Sequence, residues 1–244
     1  KHHHIYKLHL HDKFWDEQYV ISYPAGSTTV TIPLTIKPDI AVDSDVGWTS
    51  SNDAVATVTQ EGVVTAVGPG LCTITVIGAD ENQAKAQTRV VVLNSNATFQ
   101  KWGSSWYCYT SSFGIARDGW VTVGNLNYCF DSYARMRTGW YSEGSLRYYL
   151  LPSTEQEHNG QSVTGWQTID GATYLFSATG ALYTAGWYKE GEYWYYIESN
   201  GQPAEGWRKI DNILYYFKKK AGGRMAVGWN RIDGKLYYMK ANGE

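Results

Sequence analysis

The sequence predicts an all-β chain in which a β-sandwich precedes a β-hairpin solenoid of about seven repeats. Three observations carry this. Six Gly-Trp pairs place Trp120, Trp140, Trp166, Trp187, Trp207 and Trp229 at intervals of 20, 26, 21, 20 and 22 residues. A tyrosine follows each tryptophan at one offset, eight positions on: Tyr128, Tyr148, Tyr174, Tyr195, Tyr215 and Tyr237. A fixed period of this length marks a repeat array, whose units have to be read together. Upstream, residues 18–94 alternate in short Thr/Val/Ile-rich stretches punctuated by turn residues, the pattern of a sandwich.

Residues 1–17 read as a tag remnant or a leading strand. His2, His3, His4, His9 and His11 give a composition that can bind metal. The alternation of Tyr6, Leu8 and Leu10 against Lys7, His9 and His11 suits a strand, and no metal site is expected. Within 18–94, Ser27–Ile36 is one β-rich stretch in which Pro33 implies an edge or bulge. Val55–Thr59, Gly62–Val67, Cys72–Ile77 and Thr88–Leu93 follow as strands, with Gly68-Pro69-Gly70 as one of the turns. Asn94–Thr98 is small and polar, so residues 95–98 are predicted to link the modules as a hinge.

The run Gly47-Trp48-Thr49-Ser50-Ser51-Asn52-Asp53-Ala54-Val55-Ala56-Thr57-Val58, then Gly62-Val63-Val64-Thr65-Ala66-Val67-Gly68-Pro69-Gly70, then Thr73-Ile74-Thr75-Val76, resembles the bacterial immunoglobulin-like group 2 family. The resemblance covers about 75 residues and implies an immunoglobulin-like spacer or adhesion module of secreted and surface proteins. Trp48 is expected in the core of that sandwich.

Residues 99–244 hold 31 aromatic residues in 146 positions and few Leu or Ile, so their core must be built from rings. Asp170-Gly171 and Asp233-Gly234 sit between alternating apolar stretches, the strongest short hairpin signal, and Asp211-Asn212 substitutes for them. Gly124, Gly144 and Gly191 fall one position earlier and imply a different turn. Trp102 with Tyr107-Cys108-Tyr109 reads as a degenerate first unit. A single hairpin cannot bury its own aromatic face, so stacking on the neighbours must stabilise it. The units resemble the cell-wall-binding repeat superfamily, which includes choline-binding, glucan-binding and clostridial toxin repeats. The triplets carrying the resemblance include Tyr148-Tyr149-Leu150, Tyr195-Tyr196-Ile197 and Tyr215-Tyr216-Phe217.

That resemblance implies a secreted, cell-surface or cell-wall protein of a Gram-positive bacterium. Its partner would be a polysaccharide or cell-wall polymer, or host glycans, with choline on teichoic acid as the alternative and an adhesive stalk for protein partners as another. In the choline-binding branch a second Trp, seven after the first, completes an aromatic cage for a quaternary ammonium. Here that position holds Asn127, Arg147, Thr173, Trp194, Leu214 and Leu236, so only Trp194 fits. The one cage expected is Trp187 and Trp194 with Tyr216. The Ile-Asp-Gly turns and Leu-Tyr-Tyr triplets look closer to the glucan-binding branch, so polysaccharide is the first expectation. Its candidate contacts are Trp187, Trp194, Tyr195, Trp207 and Tyr216.

Several functions are disfavoured. Net charge is −2, as −4 up to residue 98 and +2 beyond it, without the basic field nucleic acid needs. No run of 18 apolar residues points to membrane insertion, and Lys1–His4 lacks a leader's apolar segment. His158 has no nucleophile or second base at recognisable spacing, so neither catalysis nor a cofactor is expected. Leu151-Pro152-Ser153-Thr154-Glu155 resembles a wall-sorting signal but ends in Glu and is read as a loop; Lys218–Lys220 is read as a solvated turn. Cys108 and Cys129 occupy matching places in successive repeats, where they either pair or act as small buried fillers, and Cys72 reads as a core strand position.

Overall fold

The computed structural model describes residues 7–10, 18–37 and 45–244. Apart from Lys7–His9, the predicted features of residues 1–17 lie largely outside them. The chain divides into two compact units, residues 1–138 with 152–161, and residues 139–151 with 162–244. Among the described residues everything regular is strand except one 3₁₀ turn at Lys219–Ala221.

In the first unit, Gln18–Tyr23, Lys85–Asn94, Gly70–Gly78 and Val46–Ser50 form a four-stranded sheet in that order. Thr29–Thr31, Val63–Ala66 and Ala56–Val58 form the three-stranded sheet of the sandwich. Ile21, Ile32, Val64, Ile74, Val76, Val90 and Val92 meet in the core, and Trp48 is buried with them as expected. The Gln60 amide accepts from the Trp48 N–H at 3.1 Å and donates to its carbonyl at 3.2 Å. Pro33 does more than mark an edge. It separates Thr29–Thr31 from Thr35–Lys37, which leaves that sheet and pairs with Lys7–His9.

Lys85–Asn94 is buried on both faces along Val90-Val91-Val92-Leu93. Val90 and Val92 enter the sandwich core, whereas Val91 and Leu93 join Val20, Tyr107, Tyr109 and Ala134 in a second cluster. The sandwich and the first repeats therefore share apolar contact. Polar contacts reinforce it: Gln18 Nε2 donates to Tyr107 Oη at 2.8 Å, and Arg117 Nη2 donates to the Val20 carbonyl at 3.0 Å. The segment predicted as a hinge is a turn held by Gln100. Its amide nitrogen donates to the carbonyls of Asn94 at 2.7 Å and Ala97 at 2.9 Å, and its oxygen accepts the Asn94 N–H at 2.7 Å.

Seven hairpins follow. Their two-residue turns obey the chemistry the sequence implied. Asp170 and Gly171 both adopt positive φ, 50° and 81°, as do Asp233 with Gly234 and Asp211 with Asn212. This is the primed turn that matches strand twist. In the Gly124, Gly144 and Gly191 turns only the first residue is left-handed, which selects glycine there.

The register corrects the first unit. Phe99 pairs with Cys108 as Trp120 pairs with Cys129 and Trp187 with Tyr196. Phe99 therefore holds the Gly-Trp tryptophan's place, and Trp102 stands three positions further along, where Val123 stands in the next hairpin.

Each hairpin before the last is followed by a short third segment that pairs back to its triplet, as in Phe130↔Met136, Leu150↔Ser162, Phe176↔Leu182 and Ile197↔Pro203. The loops reaching these segments press glycine against the preceding coil. A Cβ on Gly201, at φ +85°, would lie 2.8 Å from the Leu182 side chain; Gly180, Gly223 and Gly243 stand in the same relation to Ser162, Pro203 and Met225. Gly201→Ala thus meets both a left-handed backbone and an occupied space. Urea denaturation is expected to show a loss of about 1–3 kcal/mol; an unchanged midpoint would show that the close approach does not matter.

Cys72, Cys108 and Cys129 are all buried and in no disulfide, so the pairing alternative for Cys108 and Cys129 does not hold. Cys108 fills a gap between rings, among Ala116, Tyr128 and Phe130. Burial pushes the Cys108 thiol up to about 12. A thiol kept neutral is a poor nucleophile. Native protein at pH 8 is expected to leave Cys108 unmodified by iodoacetamide, with labelling only after denaturation.

Candidate ligand-binding site

Four Gly-Trp tryptophans, Trp140, Trp166, Trp187 and Trp207, bind hairpin to hairpin. Each lies across the strand pair from the residue nine positions on, and the two share a face. The residues eight and ten positions on point the other way, into the coil, because side chains alternate along a strand. The tryptophan then reaches the next hairpin's inward tyrosine. Ring centroids are 5.1 Å apart for Trp140–Tyr174, 5.0 Å for Trp166–Tyr195, 4.9 Å for Trp187–Tyr215 and 5.0 Å for Trp207–Tyr237. Tilted or edge-on geometry at these distances brings the positive ring edge to the negative face.

What distinguishes the junctions is the side chain seven positions after the tryptophan, on the exposed side of the second strand. In the Trp187 hairpin it is Trp194. The two indoles stand perpendicular, at 87° with centroids 6.3 Å apart, and Tyr215 closes the third side at 71° to Trp187. Trp187 and Trp194 remain 39 % and 40 % exposed, while Tyr215 is buried. Lys189 places its ammonium 5.5 Å from the Trp194 ring, a distance at which that ring already attracts a cation.

The Trp140 junction has the same frame, but the guanidinium of Arg147 lies over the Trp140 ring at 4.5 Å. The chain supplies its own cation there. At Trp166 the position is Thr173, and the indole N–H donates to Glu190 at 3.2 Å. At Trp207 the position is Leu214, which is exposed and contributes no ring.

The five residues predicted to bind ligand fall at three successive junctions and do not form one site. Trp187 and Trp194 come together as expected. Tyr195 is buried and packs on Trp166, the preceding junction, where Arg224 Nε donates to its hydroxyl at 3.2 Å. Trp207 and Tyr216 face each other at 5.1 Å in the following hairpin. Tyr215 takes the place predicted for Tyr216, because neighbouring strand residues point to opposite faces. Its signal was present: the wall that closes each junction is the tyrosine at the constant offset of eight.

Comparison with known proteins agrees with this architecture. Residues 22–89 match the bacterial Ig-like domain (group 2). Residues 164–182, 185–202, 205–220 and 227–244 match the putative cell wall binding repeat. The solved structure of CbpJ from Streptococcus pneumoniae TIGR4 is 28% identical, with a TM-score of 0.54, over 77% of this chain and 60% of that one. Choline binding protein F from Streptococcus pneumoniae, solved in the presence of a peptidoglycan analogue, is 22% identical with a TM-score of 0.52, over 82% of this chain and 64% of that one, a likeness of fold. A 3-O-alpha-D-galactosyl-alpha-L-arabinofuranosidase of Bifidobacterium longum subsp. longum is 36% identical over 64 residues, 26% of this chain and 6% of that protein. The chain thus spans less than two thirds of each of these relatives. Its residues 22–89 are a bacterial Ig-like domain of group 2, followed by cell wall binding repeats.

Proposed function

We propose that this is a noncatalytic cell-surface attachment protein of a Gram-positive bacterium. Its repeats hold a cell-wall polymer through quaternary ammonium groups of choline, and its Ig-like domain acts as a spacer. The observation that carries the reading is the Trp187–Trp194–Tyr215 arrangement, in which two partly exposed indoles stand perpendicular beside a buried tyrosine. A quaternary ammonium cannot donate a hydrogen bond and carries a diffuse charge. Ring quadrupoles are its best partners, at about 0.5–2 kcal/mol per ring face. The match to the putative cell wall binding repeat lends support, and the likeness of fold to choline binding protein F favours choline over the polysaccharide first expected from the turns and triplets. A wall polymer that repeats its choline groups would gain affinity by multivalency if more than one site were engaged.

Calorimetric titration with choline tests this. Trp194→Ala is expected to weaken binding by about 2 kcal/mol, roughly thirtyfold in Kd. Leu214→Trp gives the opposite prediction. Leu214 pairs with Lys209 as Trp194 pairs with Lys189, beside a Trp207–Tyr237 junction of matching geometry. This substitution is expected to add a choline site. Retention on cell walls that free choline cannot reverse, but a soluble glycan can, would move the assignment to polysaccharide.

A further inference from the structure

The corrected register exposes a second three-ring arrangement that the tryptophan spacing hid. With Phe99 in the Gly-Trp place, the residue seven on is Trp106 and the next hairpin's tyrosine is Tyr128. Trp106 pairs with Lys101 as Trp194 pairs with Lys189. Phe99 and Tyr128 meet at 5.0 Å and 52°, close to the 4.9 Å of Trp187 and Tyr215. Phe99, Trp106 and Tyr128 are therefore the register equivalents of Trp187, Trp194 and Tyr215, even with the same lysine opposite the second indole.

One group already sits among these rings. The His158 imidazole lies flat on Phe99, at 4.0 Å and 11°, edge-on to Trp106 at 6.0 Å, with its centroid 6.3 Å from that of Tyr128. It comes from the loop that makes the Trp140 repeat long. Leu150 and its bridge partner Ser162 are 12 positions apart, against 6 for Phe130 with Met136, Phe176 with Leu182 and Ile197 with Pro203. The extra length is tied down at each step. Trp106 Nε1 donates to the Thr154 carbonyl at 2.9 Å, Glu155 pairs with Lys101, and Gln161 bridges to Tyr128. Thr154 Oγ1 accepts the Glu157 N–H at 3.0 Å, which shapes the turn that delivers His158.

We infer that Phe99, Trp106 and Tyr128 form a second quaternary-ammonium cage and that the 151–161 loop is its built-in competitor, with His158 as the internal ligand. This rests on the reading of the three-ring cage given for Trp187, Trp194 and Tyr215. A polymer-bound ammonium enters only by lifting His158 off Phe99 and breaking the Thr154 and Glu155 contacts. The Phe99 cage is thus a reserve site that opens at higher ligand density than the Trp187 cage.

Choline titration of the full chain tests this in two independent ways. The first needs no substitution: in the wild-type protein the His158 ring protons should resonate upfield, shifted by the Phe99 ring current. Excess choline should return them toward the position of a free histidine. The second counts sites by calorimetry. His158→Ala should raise the number from one to two, and the added site should vanish in His158→Ala with Trp106→Ala. His158→Ala with Trp194→Ala should keep one site, which separates this inference from the Trp187 assignment. If that double variant binds no choline and the His158 resonances stay fixed at saturation, the inference is overturned. Replacing residues 153–158 by none, to match the other coils, should open the cage as His158→Ala does if the alanine variant fails to fold.

Discussion

The contact between a hairpin's Gly-Trp tryptophan and the next hairpin's inward tyrosine, made by Trp140, Trp166, Trp187 and Trp207, is the constraint on which the second unit's repeats depend. An isolated two-stranded hairpin is marginal in water, because its backbone pairing does not outweigh its lost freedom. Here each hairpin places one large ring between its own strand pair and its successor, at centroid distances near 5 Å. Each such pair adds about 0.5–1.5 kcal/mol beyond the area it buries. Stability is then a sum of neighbour terms, and the close approach of loop glycines such as Gly201 is the steric condition for those neighbours to meet.

On the proposed function, the same constraint yields a binding site with little alteration. At the Trp140, Trp166, Trp187 and Trp207 junctions the tryptophan and tyrosine are present for structural reasons, so they supply two walls of a cage in any case. A single outward side chain, seven positions after the tryptophan, decides whether the third wall exists. Trp194 completes it, Leu214 leaves it open, and Arg147 fills the space with the chain's own cation. Recognition can therefore be gained or lost by exchanging one exposed residue, without disturbing the core that the other two rings maintain.

Much of this was legible in the sequence, for identifiable reasons. The Gly-Trp period and the Asp-Gly turns are local, and local chemistry fixed both hairpin position and turn type at Asp170-Gly171 and Asp233-Gly234. Errors arose where one position mattered. Tyr216 was favoured over Tyr215 although strand alternation sends the two rings to opposite faces. Phe99 in the tryptophan's place hides the first repeat from the Gly-Trp pattern, although its spacing of 21 to Trp120 fits the period. The cover over Val91 and Leu93 was announced by the unbroken Val90-Val91-Val92-Leu93 run, which signals burial on both faces, but no pattern said what covers them. The placement of His158 depends on a long loop folding back, and such contacts leave no periodic trace.

The central claim is that Trp187 and Trp194, above Tyr215, receive a quaternary ammonium. A crystal structure of the chain soaked with choline tests this most directly. The account predicts a trimethylammonium group within about 6 Å of all three ring centroids. Choline bound elsewhere on the repeats, with these three rings unvisited at saturating concentration, would contradict it.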